Sequence, residues 1–178
     1  MGGRSGGATA GSRFRKGGNR MGTVASVGDW VTTSQGKQRT IIFGAVENPK
    51  GKLGWEGDAD YPGGRIRAIE TSDFGYGKWL SVSVTSPLTQ ASMRTGQGLG
   101  MYLAALKFAK KNNLGFRSDV TGDTSGDAQK IWNVLGARGV DVSMQNSDPD
   151  VYSMFSISPA AVQRANISDL NKRRRTTG

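Results

Sequence analysis

The stretch Thr95-Gly96-Gln97-Gly98-Leu99-Gly100 carries glycine at every second position and lies between two segments of different hydrophobic period. Before it, apolar and polar residues alternate over Leu80 to Thr85, which predicts a strand with one buried face. After it, leucines recur on one helical face between about Gly98 and Asn112. Backbone N–H groups in such a strand-to-helix turn can closely approach an anion. The stretch therefore predicts an anion-binding turn.

Two common nucleotide-binding motifs do not fit this turn. A dinucleotide-binding fingerprint needs a third glycine at position 101, where Met101 stands. A P-loop needs the run Gly-Lys-Ser/Thr, which the turn lacks. One alternative stays open: the glycines can also serve only to let the helix and the strand pack closely.

Signals on both sides of the turn complete a mixed pattern. Two further strands are predicted before it and one short strand after its helix, then a second helix, two final strands and a helix start. These segments are Thr40–Val46, Arg65–Glu70, Phe116–Val120, Gly126–Leu135, Val140–Met144, Tyr152–Ile157 and the pair Ser158-Pro159. The predicted order is βββ-α-β-α-ββ, which indicates an α/β fold.

The turn, the order of elements around it and the later pattern Ser125-x-x-Ala128-x-x-Ile131-Trp132-x-x-Leu135-Gly136 resemble the cofactor half of the Gcn5-related N-acetyltransferases. The resemblance covers about residues 78–157. It implies a mixed, mainly antiparallel sheet with flanking helices. It also implies acetyl-CoA as the cofactor, with its pyrophosphate on the loop amides and its pantetheine arm along the preceding strand. The implied cofactor-binding residues are Gln97, Gly98, Leu99, Gly100, Met101, Val82, Val84 and Ser125.

The chain departs from this family where proton transfer is concerned. The tyrosine that serves the family as a general acid is replaced by Trp132, whose indole is not an acid at neutral pH. Because Trp132 shares an apolar face with Ala128, Ile131 and Leu135, core packing is its favoured interpretation. The strand before the loop carries no carboxylate, so the catalytic residues stay unassigned. The candidate general bases are Glu47, Glu70, Asp73 and Asp119.

Two functions follow from this pattern. The first is transfer of an acetyl group to an amine, in which catalysis rests on positioning. The second is a non-catalytic module of the same fold, which serves protein assembly or associates with nucleic acid. A phage virion component is one form that such a module would take.

Charge is concentrated at the two ends of the 178-residue chain, whose formal net charge is +10. Residues 1–20 carry +5 and residues 164–178 carry +4, so the body is nearly neutral. The sequence predicts a glycine-rich flexible arm over 1–22, an α/β domain over 23–160 and a basic tail over 161–178. Contacts with nucleic acid or another polyanion are expected from the arm and the tail. The residues expected to make them are Arg13, Arg15, Lys16, Arg173, Arg174 and Arg175.

The amino-acid composition excludes several kinds of functional site. The chain has no cysteine and no histidine, which removes disulfides and the commonest zinc ligands, and no metal site is predicted. No apolar run reaches the roughly 18 residues of a membrane span. We therefore expect no membrane partner, and a cytoplasmic or virion location.

Overall fold

The computed structural model describes residues 23–34, 36–44, 65–72, 77–85, 97–118, 124, 126–145 and 154–171. The predicted arm over 1–22 and the cationic run Lys172–Arg175 lie outside these residues.

In the described residues five strands precede the first helix, and the last two elements are consecutive helices. The strands are β1 Thr23–Val27, β2 Val31–Thr33, β3 Gly36–Gly44, β4 Arg65–Ser72, β5 Lys78–Thr85, β6 Gly115–Arg117, β7 Ser143–Gln145 and β8 Met154–Ile157. The helices are α1 Gln97–Lys111, α2 Gly126–Ala137, α3 Pro159–Arg164 and α4 Ile167–Asn171. Each element predicted from the sequence therefore has a counterpart.

All eight strands belong to one sheet, in the order β1-β3-β4-β5-β6-β8-β7, with β2 also paired to β3. Within the described residues, β5 and β6 are the parallel pair, and the other pairings are antiparallel. Helix α1 is the crossover between these two parallel strands, which a two-residue turn cannot join. The fold is α/β, with a mixed and mostly antiparallel sheet.

Helix α1 lies at the centre of the core. Its residues from Met101 to Leu106 are all buried, although the sequence pattern predicted one apolar face. A helical segment that is buried all round must be covered on several sides. Helix α1 contacts the sheet on one side and α2, α3 and α4 on others. On the sheet, the residues that form this core are Ile41, Phe43, Ile66, Ala68, Leu80, Val82, Phe116, Phe155 and Ile157.

The first described strand starts at the predicted boundary, residue 23, whereas the folded body extends past the predicted boundary at residue 160. The short strands β1 and β2 were not predicted, because they lack a clear alternation of apolar and polar residues. At the other end, Ala161, Val162 and Leu170 are buried in the core cluster, so α3 and α4 belong to the body beyond the predicted boundary at residue 160. The predicted helix start is confirmed: the Ser158 hydroxyl accepts a hydrogen bond from the Ala161 N–H, and Pro159 is the first helical residue.

In the part of the chain that the structure describes, no helix is both long enough and apolar enough to cross a membrane.

Candidate functional site

The parallel strands β5 and β6 separate partway along β5. They pair at Trp79–Gly115, Leu80–Phe116 and Ser81–Arg117, after which β6 ends while β5 continues to Thr85. The next residue, Ser118, turns toward β8: its N–H donates to the Phe155 carbonyl at 2.8 Å, and its hydroxyl accepts from the Phe155 N–H at 3.0 Å. No described strand pairs with the β6-facing edge of β5 beyond Ser81. We call this opening the wedge.

The N-terminus of α1 lies at the end of β5 that borders the wedge. The chain leaves β5 at Thr85 and enters α1 at Gln97, and ligands of α/β proteins commonly bind outside the carboxyl ends of the strands. Amides in the first turn of a helix have no intrahelical acceptor. Gly98 is half-buried there, and the first turn of α1 contains no acidic residue. The position suits a negatively charged group.

The predicted cofactor-binding residues divide into three groups. Val82 and Met101 are buried in the core, and Leu99 packs against it, so these residues can offer a ligand only their backbone. Gly98 and Gly100 have no side chain to interfere. Ser125 and the side chains of Gln97 and Val84 lie outside the described residues.

Four polar side chains on the sheet face opposite α1 were not predicted as a site. We call Arg67, Ser81, Ser83 and Arg117 the arginine–serine cluster. The Arg117 Nε donates to the Ser81 hydroxyl at 2.7 Å, and the Arg67 Nη2 donates to the Ser83 hydroxyl at 2.9 Å. Ser81 and Ser83 lie on one face of β5, and Leu80 and Val82 lie on the opposite face. The cluster borders the wedge at the last β5–β6 pair.

Arg117 is the member of the cluster best suited to meet an anion. Its guanidinium lies 5.1 Å from the centroid of the Trp79 ring, and burial lowers the pKa of this group from its ordinary value. Among the described residues no carboxylate forms an ion pair with Arg117. A desolvated cation without an acidic partner attracts anionic ligands more strongly than a solvated cation does.

One sequence signal could have found this cluster. Trp79, Ser81 and Ser83 occupy alternate positions of β5, so the sequence showed that these three side chains share one face of the strand. The pairing of Ser81 with Arg117 was not visible, because it depends on the register of two strands that are far apart in the chain.

Glu70 does not lie at the wedge. Only 6% of Glu70 is exposed, and its Oε2 accepts from the Arg39 Nε at 2.6 Å. The pair lies on the α1 side of the sheet, where the Arg39 guanidinium also lies near the rings of Trp30 and Phe108. The structure therefore gives Glu70 an ion-pairing role in the core. Glu47, Asp73 and Asp119 lie outside the described residues.

The predicted core packing of Trp132 is confirmed. Trp132 is 0% exposed and stacks on Phe155 with the ring planes 7° apart. Tyr102 and Phe116 also contact its ring. Among the described residues the buried Trp132 Nε1 has no hydrogen-bond partner, so this indole donates no hydrogen bond to a described group at the wedge.

Within the described residues no group of three or more Asp or Glu side chains could hold a metal ion. A scan against known protein-family models, a search of curated proteins and a search of solved structures each found no match.

Proposed function

We propose that this protein binds acetyl-CoA in the wedge and transfers its acetyl group to an amine. The observation that carries the proposal is the edge of β5 beyond Ser81, with which no described strand pairs, beside the glycine-rich N-terminus of α1. The element order and the crossover through α1 agree with the resemblance to the Gcn5-related N-acetyltransferases.

The residues at the wedge fit the cofactor in two respects. The backbone of β5 between Val82 and Val84 can hydrogen-bond to the amides of the pantetheine arm, as an exposed sheet edge does with an added strand. The amides of Gln97, Gly98 and Leu99 fall in the first turn of α1 and suit the pyrophosphate. The amides of Gly100 and Met101 lie deeper in the helix. These two residues therefore contribute mainly through close packing of the helix.

Acetyl-CoA would supply an activated thioester, which an amine can attack without a covalent enzyme intermediate. The chain's own contribution is then to hold and orient the reactants. The arginine–serine cluster is placed to orient an acceptor, since Ser81 and Arg117 form the last pair before the strands separate. Neither Trp132 nor Glu70 is available to move a proton there.

The alternative is a protein of the same fold that binds acetyl-CoA, or no cofactor, and serves assembly. The burial of Trp132 and the ion pairing of Glu70 favour this alternative, because both side chains are engaged in stabilising the fold.

An acetyl-transfer assay separates the two functions. Purified protein is incubated with acetyl-CoA and a panel of primary amines, and the free thiol released is measured. We expect amine-dependent thiol release that Gly98→Val abolishes and Gly136→Ala leaves unchanged, because Gly136 lies on α2 with room for a methyl group. Binding of acetyl-CoA without release would assign the protein to the alternative, and no binding would refute the cofactor site itself.

A further inference from the structure

A basic groove lies on the side of the body where α1 ends and α3 is followed by α4. Its volume is about 640 Å³. The cations that line it are Lys107, Lys110, Lys111 and Arg164. The rest of the described lining is the uncharged run from Ala165 to Ser168, so none of the described residues that line the groove is acidic. We call this surface the lysine groove.

Hydrogen bonds between α1 and α3 hold the groove in shape. The Lys110 ammonium donates to the Ala165 carbonyl at 2.7 Å. The Gln163 side-chain amide donates to the Lys110 carbonyl at 2.7 Å and to the Asn113 side chain at 3.1 Å. The groove is therefore part of the folded body and does not depend on a partner to form.

The remaining charges of the groove are largely unneutralised. Lys107 and Lys111 are exposed one helical turn apart, where like charges destabilise a helix slightly. Arg164 lies 3.6 Å from Asp141, but both side chains are mostly exposed, and such pairs contribute little. The position at the C-terminus of α1 favours lysines, which accounts for some of them. Arg164 lies in the last turn of α3, so the groove brings together the basic C-terminal turns of two helices.

We propose that the lysine groove binds the sugar–phosphate backbone of double-stranded nucleic acid, independently of base sequence. Ammonium groups act on phosphates as point charges, and the groove presents no aromatic side chain that could stack on bases. Its one large apolar residue, Ile167, packs against the core and cannot insert into a lipid surface. This site is independent of the acetyl-CoA wedge.

The sequence extends the same charge along the chain. Lys172, Arg173, Arg174 and Arg175 directly follow α4, whose first residue, Ile167, lines the groove. Since α4 is a five-residue helix of about 7.5 Å, its last residue, Asn171, lies close to the groove, and the cationic run follows Asn171 in the sequence. The body would then contribute to polyanion binding together with the tail. The sequence alone indicated contributions from the arm and the tail.

A salt titration of duplex binding tests the proposal. Fluorescence anisotropy with a short random-sequence duplex compares the wild type with Lys111→Gln and with Lys107→Gln/Lys111→Gln. Each lysine that meets one phosphate should lower the slope of log affinity against log salt by about 0.9. The matched control is Lys130→Gln, which removes an exposed lysine of α2 that pairs with Asp127. We expect the control to keep the wild-type slope, while the double variant also binds less tightly at low salt.

The outcomes are distinct. An unchanged slope in the double variant, with its thermal midpoint at the wild-type value, would overturn the proposal. Vesicles that contain phosphatidylserine serve as a second probe, and binding to them without binding to the duplex would also overturn it. The wild type, both lysine variants and the control all keep residues 172–178. A slope that falls in the lysine variants and not in the control therefore assigns phosphate contacts to the groove.

Discussion

The indole ring of Trp79 lies so close to Gly115 that a Cβ atom on Gly115 would stand 2.5 Å from two of its ring carbons. The two residues are partners in the parallel β5–β6 register, and the Arg117 guanidinium lies near the same ring. The missing side chain at position 115 is what allows the ring and the guanidinium to lie together at the base of the wedge.

Gly115→Ala should therefore destabilise the protein by about 1–3 kcal/mol, the usual cost of overpacking. Urea denaturation measures the change, and Gly136→Ala is the control because Val142 atoms stand 4.0 Å from its added Cβ. The control should be neutral or stabilising, since alanine favours a helix over glycine. Trp79→Ala added to Gly115→Ala should recover part of the loss if the ring is the obstacle. Equal stability of the wild type and Gly115→Ala would refute the close contact.

The Arg39–Glu70 pair should be structural and not catalytic. Glu70→Ala leaves a largely buried guanidinium without its partner, which typically costs about 3–5 kcal/mol. The double change Arg39→Met/Glu70→Leu should recover most of this stability, because the pair is replaced by apolar contacts. Calorimetric unfolding measures both variants. If the double variant keeps its stability but loses acetyl transfer, the pair has a chemical role that its position in the core does not suggest.

Trp132 should be replaceable by phenylalanine without loss of ligand binding. Its Nε1 has no hydrogen-bond partner in the part of the chain that the structure describes, so Trp132→Phe removes packing and no described polar contact. Trp132→Ala should cost about 3–5 kcal/mol and Trp132→Phe clearly less. Chemical denaturation gives the stabilities, and calorimetry gives acetyl-CoA affinity. Lost affinity in a stable Trp132→Phe variant would show that the indole acts at the site.

Much of the fold followed from local pattern. The alternation over Leu80–Thr85 and the periodic leucines of α1 are determined by neighbours in the chain, and both elements lie within two residues of their predicted bounds. The burial of every residue from Met101 to Leu106 in α1 could not be predicted, because it depends on α3 and α4, which return to cover the helix from the far end of the chain.

The candidate site was predictable only in its loop. Glycines at alternate positions at the start of a helix are typical of an anion site, and they are equally compatible with close packing of the helix on the strand. The contact between Ser81 and Arg117 joins residues 36 positions apart, and no local pattern specifies that register. The burial of Glu70 was likewise hidden, because a strand sequence does not say which side of the sheet a second layer covers.

The position of β1 determines how many N-terminal residues can be removed without loss of stability. A variant that begins at Met21 should keep its thermal midpoint, because β1 starts at Thr23 and stays complete. A variant that begins at Asp29 should lose stability, since β1 pairs with β3 from Thr23–Gly44 to Val27–Ile41. Thermal unfolding by circular dichroism compares the two. A sharp fall in the Met21 variant would mean that residues 1–20 pack on the body.

The central claim is that the wedge beside α1 binds acetyl-CoA, and isothermal titration of the intact protein with acetyl-CoA tests it most directly. We expect saturable binding at one site per chain, lost in Gly98→Val because its side chain blocks backbone approach, and kept in Gly136→Ala. Circular dichroism of Gly98→Val checks that the helix still forms. Absence of binding by the wild type at millimolar ligand, or full affinity in a folded Gly98→Val variant, would contradict the account.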